Sequence, residues 1–256
     1  MIAYIGKLVL WMLLFWPHQG HSSEINLKDT IIAVDIGHTS QHVGAMSAHG
    51  RGEFQFNLEV GQQVNKELVR RGFAHTVPII NPKNLLSRTQ IAKKNKADLF
   101  LSIHHDSVQS YYLNEWTYHG QKLHYCDLFQ GFSLLVSTRN SEFHKSLLLA
   151  TLLGQKLKQL GFVPTQHHAL DVPGERHAMF HANLGIYRYD NLVVLRTADM
   201  PAVLVEVGVI VNRQEEIRLR QEETQSKVAR SLADAIQEYT GIIASRNHFQ
   251  PSRRTP

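Results

Sequence analysis

Three apolar runs, each broken by a residue that does not belong in a core, constrain this chain more than any other feature. Ile31-Ile32-Ala33-Val34-Asp35 leads into Ile36-Gly37-His38. Leu99-Phe100-Leu101-Ser102-Ile103 leads into His104. Glu206 interrupts Ala202-Val203-Leu204-Val205-Glu206-Val207. Short continuous apolar runs of this kind read as strands buried on both faces, as in a sheet covered by helices on each side. Ligands of such sheets gather beyond the carboxyl ends of the strands, where His38 and His104 stand. One histidine among the chain's 16 would pass as an ordinary loop residue. The same arrangement at two strand ends, with an acid inside a third run, narrows the reading to a site.

Helical patterns lie between the runs. Glu53 opens one in which Phe56, Val60, Val64 and Leu68 fall every four residues, and Arg70-Arg71-Gly72 closes it. Residues 74–80 read as a second strand, pushed towards an edge by Pro78, and residues 85–95 as a short helix. Residues 132–137 and 192–195 read as further strands. Leu149, Leu152, Leu153, Leu157 and Leu160 mark a helix ended by Gly161, and Val228, Leu232, Ala235, Ile236 and Tyr239 mark the closing one. Strands alternating with helices predict an α/β fold: a single three-layer domain with a central, mostly parallel (mixed) sheet flanked by helices. Residues 107–130 and 162–190 lack a clean period. Structureless stretches of that length are usually functional inside a compact domain, and both are expected to wall or cover the cleft.

Composition matters at three points. The net charge of +5 favours an anionic neighbour, but the cations are scattered and no nucleic-acid motif is present, so nucleic acid is not the expected partner. The single Cys126 excludes an internal disulfide and a cysteine-based metal site, and the sequence around it supplies no base to activate a thiol. Lys7 precedes an apolar stretch of about nine residues, far short of the ~20 that span a bilayer, so residues 1–23 read as a secretory signal peptide. The expected mature protein is secreted, in a periplasm, with no stable membrane insertion. Residues 24–244 are expected to form its one folded domain and residues 245–256, with Arg246, Arg253 and Arg254, a disordered basic tail.

Two neutral imidazoles and one carboxylate, with one position left open, make the donor set of a catalytic zinc site. His38, His104 and Glu53 can meet at one end of the sheet. Glu53 could instead only complement its helix dipole, and His104-His105-Asp106 could be a solvated polar cluster. Glu206 is harder to explain by structure alone. A buried unpaired carboxylate costs several kcal/mol, so Glu206 needs either a role or a cation such as Arg196. His177 and His181 are four apart but lack the glutamate of His-Glu-x-x-His. They read as loop or substrate-contacting residues, and His167 and His168 as surface. No Gly-x-Ser-x-Gly elbow or glycine-rich phosphate loop is present.

Val34-Asp35-Ile36-Gly37-His38, Gly52-Glu53 at a helix start, Leu99 to His104, Val194-Leu195-Arg196, and Met200-Pro201 through Glu206-Val207-Gly208 occur in that order. Together they resemble the zinc-dependent N-acetylmuramoyl-L-alanine amidases of the type-3 amidase family, from Ile31 to Tyr239. The resemblance implies one α/β domain in which His38, Glu53 and His104 bind Zn2+ and Glu206 is the catalytic carboxylate. Asp106 matches an aspartate that contacts the metal in some relatives. Arg196 is a candidate for orienting a substrate carboxylate, or for a salt bridge. The implied substrate is peptidoglycan or a muropeptide, cut at the amide between N-acetylmuramic acid and L-alanine, and a protein activator is compatible with it. Zinc would acidify a water and polarise the amide carbonyl, while Glu206 would take the water's proton and hand it to the amine. The chain departs from the family at Ile36, where proline is usual, and at Thr39 and Ser40, where glycines are. Two rival readings remain at this stage: a carboxypeptidase-like zinc amide hydrolase of wall peptides, and a non-catalytic peptidoglycan-binding protein.

Overall fold

The computed structural model describes residues 27–248. The first half runs β1 (Ile31–Ile36), α1 (Glu53–Arg70), β2 (His75–Ile79), α2 (Leu85–Lys94) and β3 (Leu99–Asp106). A hairpin of β4 (Asn114–Tyr118) and β5 (Gln121–Tyr125) follows. Then come β6 (Ser133–Val136), α3 (Phe143–Gln159), β7 (Met179–His181), β8 (Ile186–Arg188), α4 (Val193–Thr197), β9 (Ala202–Val209), α5 (Arg213–Leu219) and α6 (Glu222–His248).

Seven strands form one mixed sheet in the order β2-β1-β3-β9-β6-β8-β7. The first four are mutually parallel, while β6 runs against β9 and β7 against β8. Successive side chains of a strand point to opposite faces, and the buried residues divide accordingly. Ile32, Val34, Ile36, Leu101, Ile103, Val203 and Val205 share one core with Phe56 and Val60 of α1, Leu149 and Leu153 of α3, and Val228 and Leu232 of α6. Ala33, Phe100, Ala202 and Leu204 face Ala92 of α2 and Val194 and Leu195 of α4. Both faces of the central strands are therefore dry, which is why these strands are apolar without alternation. The expected three-layer α/β domain is present. Pro78 lies in β2, which pairs only with β1, so its missing N–H interrupts no interior ladder.

The structure departs from the sequence reading in three places. Residues 192–195, expected as a strand, lead into the short helix α4. β9 is already flanked by β3 and β6, so this segment cannot pair beside the strand that follows it. Asn140 Nδ2 instead donates to the carbonyls of Leu195, Ala198 and Met200 at 2.9, 3.2 and 3.2 Å, fixing the helix end. A four-residue apolar run does not distinguish the two outcomes by period. Second, the stretch 107–130 contains the β4–β5 hairpin. His119 and Gly120, both at positive φ (48° and 78°), make its two-residue turn, as the right-handed twist of a hairpin requires. Third, α6 continues to His248, so residues 245–248 are helical rather than the start of a tail. The proposed signal segment and the rest of the tail lie outside the described residues.

Candidate active site

The carboxyl end of β1 is held by a buried ion pair. Asp35 and Arg88 are both fully or nearly buried. Arg88 reaches up from α2, and its Nη1 donates to Asp35 Oδ1 and to the Ile36 carbonyl, each at 2.6 Å. Its Nη2 donates to the His38 carbonyl at 2.6 Å, and Ser102 Oγ donates to Asp35 Oδ2 at 2.6 Å. This clamp sets the backbone beneath His38, which has φ 65°. A non-glycine residue there costs on the order of 1 kcal/mol or more and persists only where the surroundings dictate it. Arg88 supplies that constraint, and its fork suits a carboxylate and two carbonyls at once.

Glu53 begins α1, on the amino end of the helix dipole. Its carboxylate lies between two imidazoles: Oε2 is 2.8 Å from His38 Nε2 and Oε1 is 2.9 Å from His104 Nδ1. The rings themselves meet edge to face, with centroids 5.0 Å apart. One turn along α1, Asn57 Nδ2 donates to Glu53 Oε1 at 3.1 Å and to the Gly37 carbonyl at 3.2 Å. With its amide nitrogen so engaged, Asn57 Oδ1 is the acceptor for His105 Nδ1 at 2.8 Å. His105 is buried and stays neutral, because removal from water pushes its pKa down to about 3. Two glycines let the backbone approach. A Cβ at Gly37 would run into the His104 ring, and one at Gly44 (φ +77°) would lie 2.5 Å from Glu53 Oε2.

Burial alone would raise the Glu53 carboxyl. Its hydrogen bonds to His104 and His38, with their charges, outweigh this and hold it well below the usual carboxylate range. Glu53 is thus an ionised acceptor between two nitrogen donors. One ligand atom from each of His38, Glu53 and His104 lies within 4.8 Å of the others. An ionised carboxylate with two imidazoles, preoriented by Asn57 and the β1 clamp, fits a divalent transition ion.

Glu206 stands beside this group. It is in register with His104 on the adjacent strand, so both side chains leave the same face of the sheet. Part of Glu206 is exposed, but its Oε2 is sealed from solvent and has no hydrogen-bond partner. Burial first, then the charges of Asp106 and Glu53, push its pKa well above the ordinary range, against the pull of His168. The cation considered for it, Arg196, lies exposed on α4, and no ion pair joins the two. An apolar-walled pocket next to His38 and His104 is lined by Leu85, Leu192, Val194 and Leu204.

Asp106 lies elsewhere. The group formed by His38, Glu53 and His104 does not include it; Asp106 collects with His167 and His168 instead. His168 Nε2 is 2.9 Å and His167 Nε2 3.4 Å from Asp106 Oδ2. The expectation that His167 and His168 are surface residues is therefore overturned. His167 is buried and His168 mostly so, because the 162–190 stretch folds them back over the end of β3. The solvated-cluster reading of residues 104–106 fails as well, since His105 and Asp106 are buried. His177 is partly buried and stacks on Tyr189 at 3.9 Å, while His181 is exposed at the end of β7. Cys126 is buried and free, as an idle thiol would be.

Sequence reasoning missed Asp35, Arg88 and Asn57. Asn57 carried a signal, since a residue four beyond Glu53 shares its helix face. Arg88 carried none, because its partners come from β1.

A family model described as N-acetylmuramoyl-L-alanine amidase matches residues 32–238. The chain is 28% identical over 216 residues to a candidate N-acetylmuramoyl-L-alanine amidase of Buchnera aphidicola subsp. Baizongia pistaciae, a match covering 82% of this chain and 95% of the relative. Among solved structures it is similar to the N-acetylmuramyl-L-alanine amidase Ami1 from Mycobacterium smegmatis, with TM-score 0.65 at 18% identity, covering 85% of this chain and 99% of that one. It is also similar to the CwlD amidase from Clostridioides difficile, solved in complex with the GerS lipoprotein, with TM-score 0.56 at 18% identity, covering 84% and 100%. At those identities the two structures establish a shared fold. The family match takes in the sheet, both histidine-bearing strand ends, Glu53 and Glu206, and on it the chain belongs to the N-acetylmuramoyl-L-alanine amidase family.

Proposed function

We propose that this chain is a secreted, zinc-dependent amidase that hydrolyses the amide between N-acetylmuramic acid and L-alanine in peptidoglycan or its soluble fragments. The observation that carries the reading is the unpartnered Glu206 carboxylate set in register beside His104, next to the three converging donors. Family membership supplies the substrate class.

His38, Glu53 and His104 would hold the ion. When bound, a zinc ion polarises a carbonyl and makes a nearby water more acidic. Glu206 would take the proton of the attacking water and deliver it to the departing amine. An amine leaves poorly unless protonated, so the second transfer matters as much as the first. The raised proton affinity of Glu206 suits a group that must accept a proton and then release it. Asn57 and the Arg88 clamp hold Glu53 and the His38 backbone still while this happens. The pocket lined by Leu85, Leu192 and Val194 would exclude water on the side of the bound chain. Residues 1–23 act as the signal segment in this reading. Among the described residues no helix is long and apolar enough to cross a membrane. The CwlD amidase, solved in complex with the GerS lipoprotein, is a precedent for a protein partner of such a domain.

The test is digestion of defined muropeptides followed by mass spectrometry, with and without a chelator. The expected products are stem peptides with free L-alanine amines, lost on chelation and restored by zinc. Trimmed stems still joined to muramic acid would identify the carboxypeptidase-like alternative. Binding without consumption in the presence of zinc would identify a non-catalytic wall-binding protein.

A further inference from the structure

A second group of side chains near Glu206 has the organisation of a metal site and is not used by the proposed reaction. Asp106, His167 and His168 each present one ligand atom within 4.8 Å of the others. They come from two separate pieces of chain, Asp106 from the end of β3 and the two histidines from a short turn in the 162–190 stretch.

The orientation of each donor is fixed by a further residue. Asp106 Oδ1 accepts from the Ser107 amide at 2.8 Å, which leaves Oδ2 to face the rings. His167 Nδ1 pairs with Thr165 Oγ1 at 2.8 Å, and His168 Nδ1 lies 3.0 Å from Glu175 Oε2. Both imidazoles therefore engage through Nδ1 and turn Nε2 towards the same carboxylate oxygen. His167 Nε2 is buried and has no hydrogen-bond partner there, at 3.4 Å from Asp106 Oδ2. That separation is too long for a good hydrogen bond but close to the spacing of two donors, each about 2.0–2.1 Å from one tetrahedral ion. A ligating histidine commonly engages its other ring nitrogen with a carboxylate, carbonyl or hydroxyl, and both histidines here do so.

We propose that Asp106, His167 and His168 form a second site for a divalent transition cation of the zinc type, oriented by Thr165 and Glu175 and separate from the His38–Glu53–His104 group. Two imidazole nitrogens and one carboxylate favour zinc or cobalt over magnesium or calcium, which take oxygen donors. Both Asp106 and Glu53 act electrostatically on Glu206. The site stands or falls independently of the amidase reading.

The experiment is metal stoichiometry by elemental analysis after loading with zinc or cobalt and exhaustive dialysis. The intact protein should retain about two ions per chain. The variant His38→Gln with His104→Gln, with its fold checked by circular dichroism, should retain about one. Adding His168→Gln to that variant should remove it. Glu175→Gln should weaken the second ion by about 10- to 100-fold while leaving the first, as expected for a residue that orients a ligand. One ion in the intact protein and none in the His38→Gln, His104→Gln variant would overturn the proposal. So would retention in the triple variant equal to that in the double variant, which would mean adventitious histidine binding. If the triple variant does not fold, the intact protein and the double variant still decide. Absence of the first ion with the second retained would count against the amidase reading alone.

Discussion

His38, Glu53 and His104 hang on regular structure: the loop two residues beyond β1, the first residue of α1 and the carboxyl end of strand β3. His167 and His168 come from a short turn in a stretch that has little regular structure, tied to the sheet by Asp106 of β3 and by the edge-on packing of His168 against Tyr187 of β8. Both groups place a carboxylate between two imidazoles. In the first, the frame beneath the donors is a fully buried ion pair and an asparagine that spans helix and loop. In the second, orientation comes from Thr165 and from Glu175, itself held by Gln109 at 3.0 Å. The contrast teaches where rigidity is built in. The first group is fixed by the folding of the sheet itself, so its geometry stands before any ligand arrives. The second depends on the packing of a loop.

The largest expected effect separates the acid from both groups. Glu206→Gln should lower turnover of a defined muropeptide by about 10² to 10⁴, the usual worth of a general acid–base group. It should leave metal content unchanged. A matching loss of metal from the first group would make Glu206 a ligand and dissolve its distinction from Glu53.

Next comes the frame. Arg88→Met removes the cation from a buried pair and leaves Asp35 without a countercharge. Breaking such a pair costs about 3–5 kcal/mol, so the unfolding midpoint should fall by on the order of 10 °C. Double replacement of Asp35 and Arg88 by apolar residues should recover much of that stability yet weaken the first metal, because the His38 carbonyl loses its donor. Thermal unfolding with metal titration reads both. A small change in midpoint for Arg88→Met would show that the first group is no better braced than the second.

The same contrast explains what could be read from the residues. The layers, the parallel half of the sheet and the positions of His38, His104 and Glu206 followed from apolar runs whose side chains must be covered on both faces. Their breaks at polar residues were visible in one dimension. Pro78 placed its strand at the edge for a reason internal to proline. Residues 192–195 were misread because four apolar residues carry no period, and the deciding facts lay at Asn140 and in the filled flanks of β9. His167 and His168 were misread for a related reason. Nothing local marks a loop histidine as buried when its carboxylate partner lies about sixty residues earlier in the chain, at Asp106.

The smallest effect tests whether one side chain links the two sides of the first group. Asn57 donates both to Glu53 and to the Gly37 carbonyl and accepts from buried His105. Asn57→Ala removes all three bonds while leaving every metal donor in place. Loss of a residue that orients a ligand typically weakens metal binding by about 10- to 100-fold, and that range is expected here for zinc measured by competition with a chromogenic chelator. His105 Nδ1 would then be a buried donor without a partner, which costs about 1–3 kcal/mol and should appear as reduced stability even in metal-free protein. Asn57→Asp separates the two effects. It keeps an acceptor for His105 but sets a second carboxylate against Glu53, so its stability should lie nearer the wild type at pH values where one of the two acids is protonated. Zinc affinity unchanged in Asn57→Ala would mean that Glu53 is held by α1 and the two imidazoles alone, and the first group would then owe its order to its own donors rather than to the residues behind them.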